Sequence, residues 1–483
     1  MAHFRSIFYL IGWLIIILAV AMMPSVFLDF WDGVQDYRAY LFAQVVMIFL
    51  GVLFVFSNKS STDIDFDKRD SFLLTTFSWL FAVGFSALPF MLSSVPLSLT
   101  DAFFESVSGL TTTGATILEK LDQLPRGLLF WRSMLQWLGG IGIIVMALTI
   151  LTDMRVGGLE LFQSESSDRS EKFLPRVAQI AKVIFFTYLF LTVSCFLSLF
   201  FLKVGWFDAL CHSMTTISTG GFSTHDASIG FFKSAAVEYV LSFFMWTGGV
   251  TQLLFGYFLT RNWQSFFRDD QVKAYIRLTF FFVILMTGWN LVHQKEDVFV
   301  VITKSFFNVL SAITTTGFSS SDYSLWGGVG WMVFFVAPFI GGCTGSTSGG
   351  IKVFRFQILW RVTSIHLKKL RRPHGIFLAK YNGKQLSESV FDSVSSFVML
   401  FAFCYFILCF TLTLFGLDFS TALSAAGAML TNLGPGLGNQ IGPAETYAGF
   451  IAPIKWIFMG AMVLGRLELV TILILLTPAF WKD

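Results

Sequence analysis

Apolar residues run along this chain in two distinct lengths. The long runs lie near residues 4–27, 38–56, 71–94, 128–152, 177–202, 235–260, 274–293, 330–364, 393–416 and 448–477, the eighth of them interrupted. Each suits about 20 residues of helix, enough to cross a hydrocarbon core of about 30 Å. The short runs, at 101–111, 208–218, 304–314 and 421–431, cannot cross as helices and end in Thr/Ser/Gly-rich strings. Segments of that length are re-entrant, interfacial or buried in protein. The pattern predicts an all-α multi-span membrane protein, with two leading helices over 1–57 followed by four helix–pore loop–helix units. The units span 70–152, 175–260, 273–365 and 393–483, around one pseudo-four-fold pore. A basic cytoplasmic linker, 366–392, separates the last two.

The four short segments align on one glycine each: Gly114, Gly221, Gly317 and Gly434. Three residues earlier stands a hydroxyl every time (Thr111, Ser218, Thr314, Thr431). Four earlier stands an apolar residue (Leu110, Ile217, Ile313, Leu430), and twelve earlier a small one (Ala102, Ala209, Ser305, Ala422). One such string alone would read as an ordinary loop turn; four in register read as a duplicated membrane unit. Non-helical backbone at membrane depth is tolerated only inside protein or along a watery cavity. A ring of four strands meets that condition. Its carbonyls can replace the hydration shell of an alkali cation, and the negative C-terminal ends of the short helices favour one.

The candidate ion-binding residues are therefore Thr111, Thr112, Thr113 and Gly114; Ser218, Thr219, Gly220 and Gly221; Thr314, Thr315, Thr316 and Gly317; and Thr431, Asn432, Leu433 and Gly434. None is charged. That excludes an acidic ring for a divalent ion and a basic ring for an anion. Neutral oxygens suit a large monovalent cation, potassium first and sodium second.

Composition agrees with a lipid solvent: of 483 residues, 55% are hydrophobic and only 13% charged, about half the charge of a soluble domain. The apolar run at 7–23 is too long for a signal-peptide core and predicts a retained helix. The five cysteines are scattered, and the six histidines form no metal-binding pair. Neither a disulfide framework nor a metal-ion catalyst is expected, and nothing points to nucleic acid. Lys and Arg collect in alternate loops: Lys59, Lys68 and Arg69; Arg155, Arg169 and Lys172; Arg261 and Arg268; then Lys368 to Lys384. The positive-inside rule puts these loops and the N-terminus in the cytoplasm and the short segments outside. The basic stretch 366–384 could also dock a cytosolic partner or anionic membrane lipid.

Two further features lie on the same path. The string GGCTGSTSGGIK, 341–352, interrupts the third unit's second span. It lacks phosphate-loop spacing; it reads either as a flexible kink or as a mobile gate under the filter. The candidate gate residues are Gly345, Ser346, Thr347, Gly349, Gly350 and Lys352. In the last span, Arg466 costs several kcal/mol unless it faces a cavity or a partner. It is expected to face the pore near the gate, with a salt bridge to another helix as the alternative. Glu468, two residues on, is expected to be structural.

Together, DAFFESVSGLTTTGAT at 101–116, TNLGPGLG at 431–438, the interrupted helix and the closing GRLELVTILILLTPAFWKD resemble the membrane subunits of bacterial Trk potassium uptake systems, in the Trk/Ktr/HKT superfamily. The resemblance implies homodimers with one pore per protomer in the bacterial cytoplasmic (inner) membrane. It implies a cytosolic regulatory subunit that binds nucleotide (NAD, ATP or ADP), this chain itself binding no cofactor. It implies that the intramembrane loop and Arg466 restrict flow, and that Gly114 goes with potassium preference. Thr219 departs from the family's pattern, which has an apolar residue there. The competing classes are a carrier with proton or sodium symport, a sodium-permeable relative, and a membrane enzyme. The units keep one orientation, against an inverted-repeat carrier, and no enzyme-like residue set appears.

Overall fold

The structure is a computed structural model that describes residues 2–59, 68–154, 173–259 and 263–482. The basic residues Arg155, Arg169, Lys172 and Arg261 lie outside the described residues. Most of it is helix; among the described residues a single small hairpin pairs Lys380–Tyr381 with Lys384–Gln385. Among the described residues, six helices are long and apolar enough to cross a membrane: Phe4–Trp31, Tyr37–Asn58, Arg69–Leu92, Gln179–Phe201, Asp270–His293 and Glu388–Leu414. The helix Arg126–Met154 closes the first unit. This is a multi-pass membrane protein.

The two leading helices approach each other where neither has a side chain. A Cβ on Gly12 would lie 2.8 Å from the Gly51 carbonyl oxygen, and one on Gly51 2.9 Å from that of Gly12. Small residues permit such close crossings where lipid gives no hydrophobic drive. Three aspartates then fasten this pair to the first unit. Asp29 accepts from the Gly127 amide (2.7 Å), Asp36 from the Ser94 amide (2.8 Å) and hydroxyl (2.9 Å), and Asp32 pairs with Arg126. One apolar core is shared by the leading helices and units one and four; a second is shared by units two and three.

The second spans of the last three units are broken. The run 235–260, expected as one helix, divides into Ala235–Gly248 and Gln252–Leu259. The reason is a competing set of donors: the amides of Thr347 and Cys343 bond the Gly248 and Gly249 carbonyls at 3.3 and 2.8 Å. The third unit's span divides into Gly327–Ile340 and Val353–Arg371, so helix continues past the boundary drawn at residue 365.

The final run, 448–477, was also expected to be continuous. It forms Ala452–Arg466, then turns by 108° into Val470–Leu476. Glu468 and Leu469 take positive φ, 57° and 53°, sparsely populated backbone that costs about 1–3 kcal/mol per residue. The Glu468–Arg355 ion pair (2.6 Å), buried on the arginine side and 31% exposed at Glu468, holds the turn, with Arg355 3.7 Å from the centre of the Phe397 ring. Glu468→Ala leaves the guanidinium of Arg355, 5% exposed, without its carboxylate, with the Ile351 carbonyl (2.9 Å) as the remaining acceptor. The expected loss is about 1.5–3 kcal/mol, the scale of one hydrogen bond to a charged group, read as a lower melting temperature in detergent. A melting curve unchanged from wild type would show that the pair does not hold the turn.

Candidate functional site

Each short segment is a helix ending where the filter string begins. The four are Leu99–Leu110, Trp206–Ile217, Val298–Ile313 and Phe419–Leu430. Ser98, Asp297 and Asp418 cap the first, third and fourth by accepting from backbone amides; the second starts after Gly205 without a side-chain cap. An acceptor at the helix start satisfies the free amides there.

The hydroxyl three residues before each glycine is the residue that closes its helix. Thr111, Thr314 and Thr431 donate to the carbonyls of Val107, Leu310 and Gly427, each at 2.7 Å. Ser218 donates to Thr215 at 3.2 Å. These hydroxyls therefore finish the helix, and the next three residues leave it as a non-helical strand. Thr111, Thr112, Thr113, Thr314, Thr315 and Thr316 are at 0% exposure, while Gly114, Gly221 and Gly317 are half-buried.

The backbone past that point is alike in all four copies. Two residues before each glycine, Thr112, Thr219, Thr315 and Asn432 sit at φ 52°, 51°, 54° and 56°; the glycines sit at 84°, 76°, 84° and 94°. Non-glycine residues rarely adopt positive φ. Four at one register mean that the tertiary arrangement imposes it.

The glycines also show how the strands meet. A Cβ on Gly114 would lie 2.2 Å from the Gly220 oxygen, one on Gly221 1.9 Å from that of Thr316, one on Gly317 2.2 Å from that of Leu433, and one on Gly434 2.4 Å from that of Thr113. Each contact runs from a glycine to the carbonyl just before the next unit's glycine. The fourth returns to the first, so the strands close into a ring. Asn432 ties the closing seam, donating to the Thr113 hydroxyl (3.0 Å) and the Met462 carbonyl (2.9 Å).

The interrupted segment lies directly against this ring. Thr347 donates from its hydroxyl to the Ile217 carbonyl (3.0 Å); the Gly349 amide donates to the Thr315 hydroxyl (2.6 Å); the Gly350 amide donates to the Thr431 carbonyl (3.1 Å). Gly345, Gly350 and Lys352 take φ 76°, 75° and 81°. Ser346 bonds the Cys343 carbonyl, and the Lys352 ammonium folds back onto the Ser348 carbonyl. Arg466, 3% exposed, donates to the Thr347 carbonyl at 2.8 Å and reaches Gly139 at 3.5 Å. The structure thus brings the filter, loop and arginine together.

Outside the ring, His225 joins the first two units. Its Nδ1 bonds Asp122, and its Nε2 lies 3.5 Å from Asp208. Burial alone would lower the imidazole's pKa; the two carboxylates outweigh it and hold the pKa above its ordinary value. A raised folded-state pKa gives stability that is full below about pH 6.5 and fades as pH rises through the folded value. The wild type is therefore expected to melt lower at pH 9 than at pH 6, and His225→Ala to lose that difference. An equal pH dependence in the variant would remove His225 as its source.

Several residues that hold the filters were not marked by the sequence. Gln136 donates to the Gly220 carbonyl (2.6 Å) and accepts from the Phe222 amide (3.0 Å). The Tyr447 hydroxyl donates to the Gly434 carbonyl (2.8 Å). Glu105 and Arg132 form an ion pair at 2.6 Å, with side chains 0% and 1% exposed. A lone charge within an apolar run was the available signal for the last two; Gln136 and Tyr447 offered none. All five cysteines are free.

The comparisons agree over the whole length. The TrkH family, described as cation transport protein, matches residues 39–482. Trk system potassium uptake protein TrkI of Halomonas elongata is 42% identical over 413 residues, covering 85% of this chain and 84% of that one. Trk system potassium uptake protein TrkH of Escherichia coli K12 is 37% identical over 488 residues, covering all of both. The crystal structure of the potassium transporter TrkH from Vibrio parahaemolyticus matches with a TM-score of 0.91 at 33% identity, over 99% of this chain and 100% of that one. With four filters in register, closed into a ring, and a family match over most of its length, the chain belongs to the TrkH family of cation transport proteins.

Proposed function

We propose that this protein takes up potassium across the bacterial cytoplasmic membrane through its ring of four filters. The observation that carries the reading is the closed, neutral ring itself. Relatives named as potassium uptake proteins support the choice of ion. Backbone carbonyls replace the hydration shell of a weakly hydrated cation, and the absence of charge in the four strings disfavours divalent ions and anions. The loop at 341–352 acts as the gate, with Arg466 as its electrostatic part; their contact at Thr347 supports this.

The filters face the outside and the N-terminus the cytoplasm, by the distribution of Lys and Arg. Two copies form a homodimer with separate pores. A nucleotide-binding cytosolic subunit (NAD, ATP or ADP) acts from the side of the basic linker, 366–392, and relieves the gate. Purified protein in liposomes, with potassium, rubidium or sodium gradients, tests the reading. Potassium and rubidium flux well above sodium flux is expected. Equal sodium and potassium flux would replace it with a sodium-permeable pore.

A further inference from the structure

Nine residues before each filter glycine stand Glu105, His212, Asn308 and Ala425. The first three reach from the pore helix across to the strand that leaves their own filter, two or three residues after the glycine. Glu105 accepts from the Ile117 amide (3.1 Å) and the Thr116 hydroxyl (3.0 Å). His212 bonds the Ser223 hydroxyl (3.0 Å), its other nitrogen facing the Asp208 carbonyl (2.8 Å). Asn308 accepts from the Ser320 amide (3.2 Å) and donates to the Ser320 hydroxyl (3.0 Å). The fourth copy has alanine, and its neighbour Ser424 takes over by accepting from the Leu437 amide (2.7 Å). One mechanical task is thus performed by four different side chains.

Only the first of these struts carries charge, and it crosses to the next unit by hydrogen bonds through Arg132, where the His212 ring crosses only by packing 5.9 Å from the Phe318 ring. Arg132 donates to Glu105 and also to the Ser223 carbonyl of the second filter's exit strand (3.1 Å), with its guanidinium 4.2 Å from the centre of the Phe222 ring. A buried pair of this kind contributes little net stability against an apolar replacement, yet fixes geometry. The struts set how far each strand stands from its pore helix, and hence the width of the ring. Discrimination between alkali cations depends on that width or on the field of the carbonyls it presents.

The geometry points to Glu105, His212 and Asn308, with Arg132, as positioning residues that set cation selectivity without touching the ion; this rests on the potassium reading above. The test is the sodium-to-potassium flux ratio in liposomes. Glu105→Gln, which keeps an acceptor for Ile117 but strips Arg132 of its carboxylate, is expected to raise the ratio about tenfold, the scale of one lost charge-assisted hydrogen bond. Asn308→Ala and His212→Ala, which install the fourth unit's residue, raise it too. His212→Asn, which installs the third unit's residue, keeps the wild-type ratio. Potassium flux stays within about threefold in all of them, because no carbonyl of the path is removed. Should Glu105→Gln fail to fold, the His212 and Asn308 variants decide.

Wild-type ratios in both alanine variants, or a shift that His212→Asn shares with His212→Ala, would overturn the struts. An unselective wild type would instead overturn the potassium reading.

Discussion

Gly221→Ala is expected to reduce potassium flux by a factor on the order of 100, because potassium must be coordinated at a set carbonyl spacing. Positive φ is not the main obstacle. Thr219 already holds φ 51° two residues earlier, and such a residue costs about 1–2 kcal/mol, which the fold bears at all four copies. The obstacle is space: the new Cβ would lie 1.9 Å from the Thr316 oxygen and 2.9 Å from its carbon. Carbon contacts relax at about 3.5–4.0 Å, so the second and third strands must separate by about 1 Å or more. That movement displaces a carbonyl of the third filter as well as the second. Gly84, around which a Cβ meets nothing within 4 Å, supplies the control: Gly84→Ala should leave flux unchanged. Near wild-type flux through folded Gly221→Ala protein would mean that these strands do not line the path.

Arg466→Ala has the second-largest expected effect, in the opposite direction. A fixed positive charge about 6 Å from a passing cation raises its energy by about 3 kcal/mol at an effective dielectric constant of about 20. That corresponds to roughly a hundredfold in rate. Relaxation of the loop offsets part of it, because the Thr347 carbonyl loses its donor. Basal flux without any partner should therefore rise at least about tenfold, with Arg466→Lys in between or near wild type. Unchanged or lower flux in folded Arg466→Ala protein would remove the arginine from the gate.

The filters were legible in the sequence because their register is local: helix end, hydroxyl and glycine lie within four residues and recur. The leading helices and the first span of each unit were legible as apolar length, which lipid demands. The breaks were not. At 248–252 the sequence reads Gly-Gly-Val-Thr-Gln and after Arg466 Leu-Glu-Leu, each interruption short enough to pass inside a long apolar run. What ends those helices is a partner distant in the chain: the amides of Cys343 and Thr347 in the first case, the guanidinium of Arg355 in the second. The residues bracing the filters were missed for a related reason. Gln136 and Tyr447 acquire their meaning only from carbonyls 84 and 13 residues away.

The loop beneath the ring is bound to it through the Ile217 carbonyl, the Thr315 hydroxyl and the Thr431 carbonyl. Displacing the loop strips those groups, and the loop's own donors, of their partners. Each orphan left dry would cost about 1–3 kcal/mol, a sum no small rearrangement recovers. Water is the replacement within reach, so the displaced state must hold more water molecules than the seated one. The balance between the two then depends on water activity: a solute too large to enter the pore and excluded from protein surfaces draws that water out and reseats the loop. With the loop as the proposed gate, osmotic strength alone, with no ligand bound, is expected to bear on how often the pathway stands open.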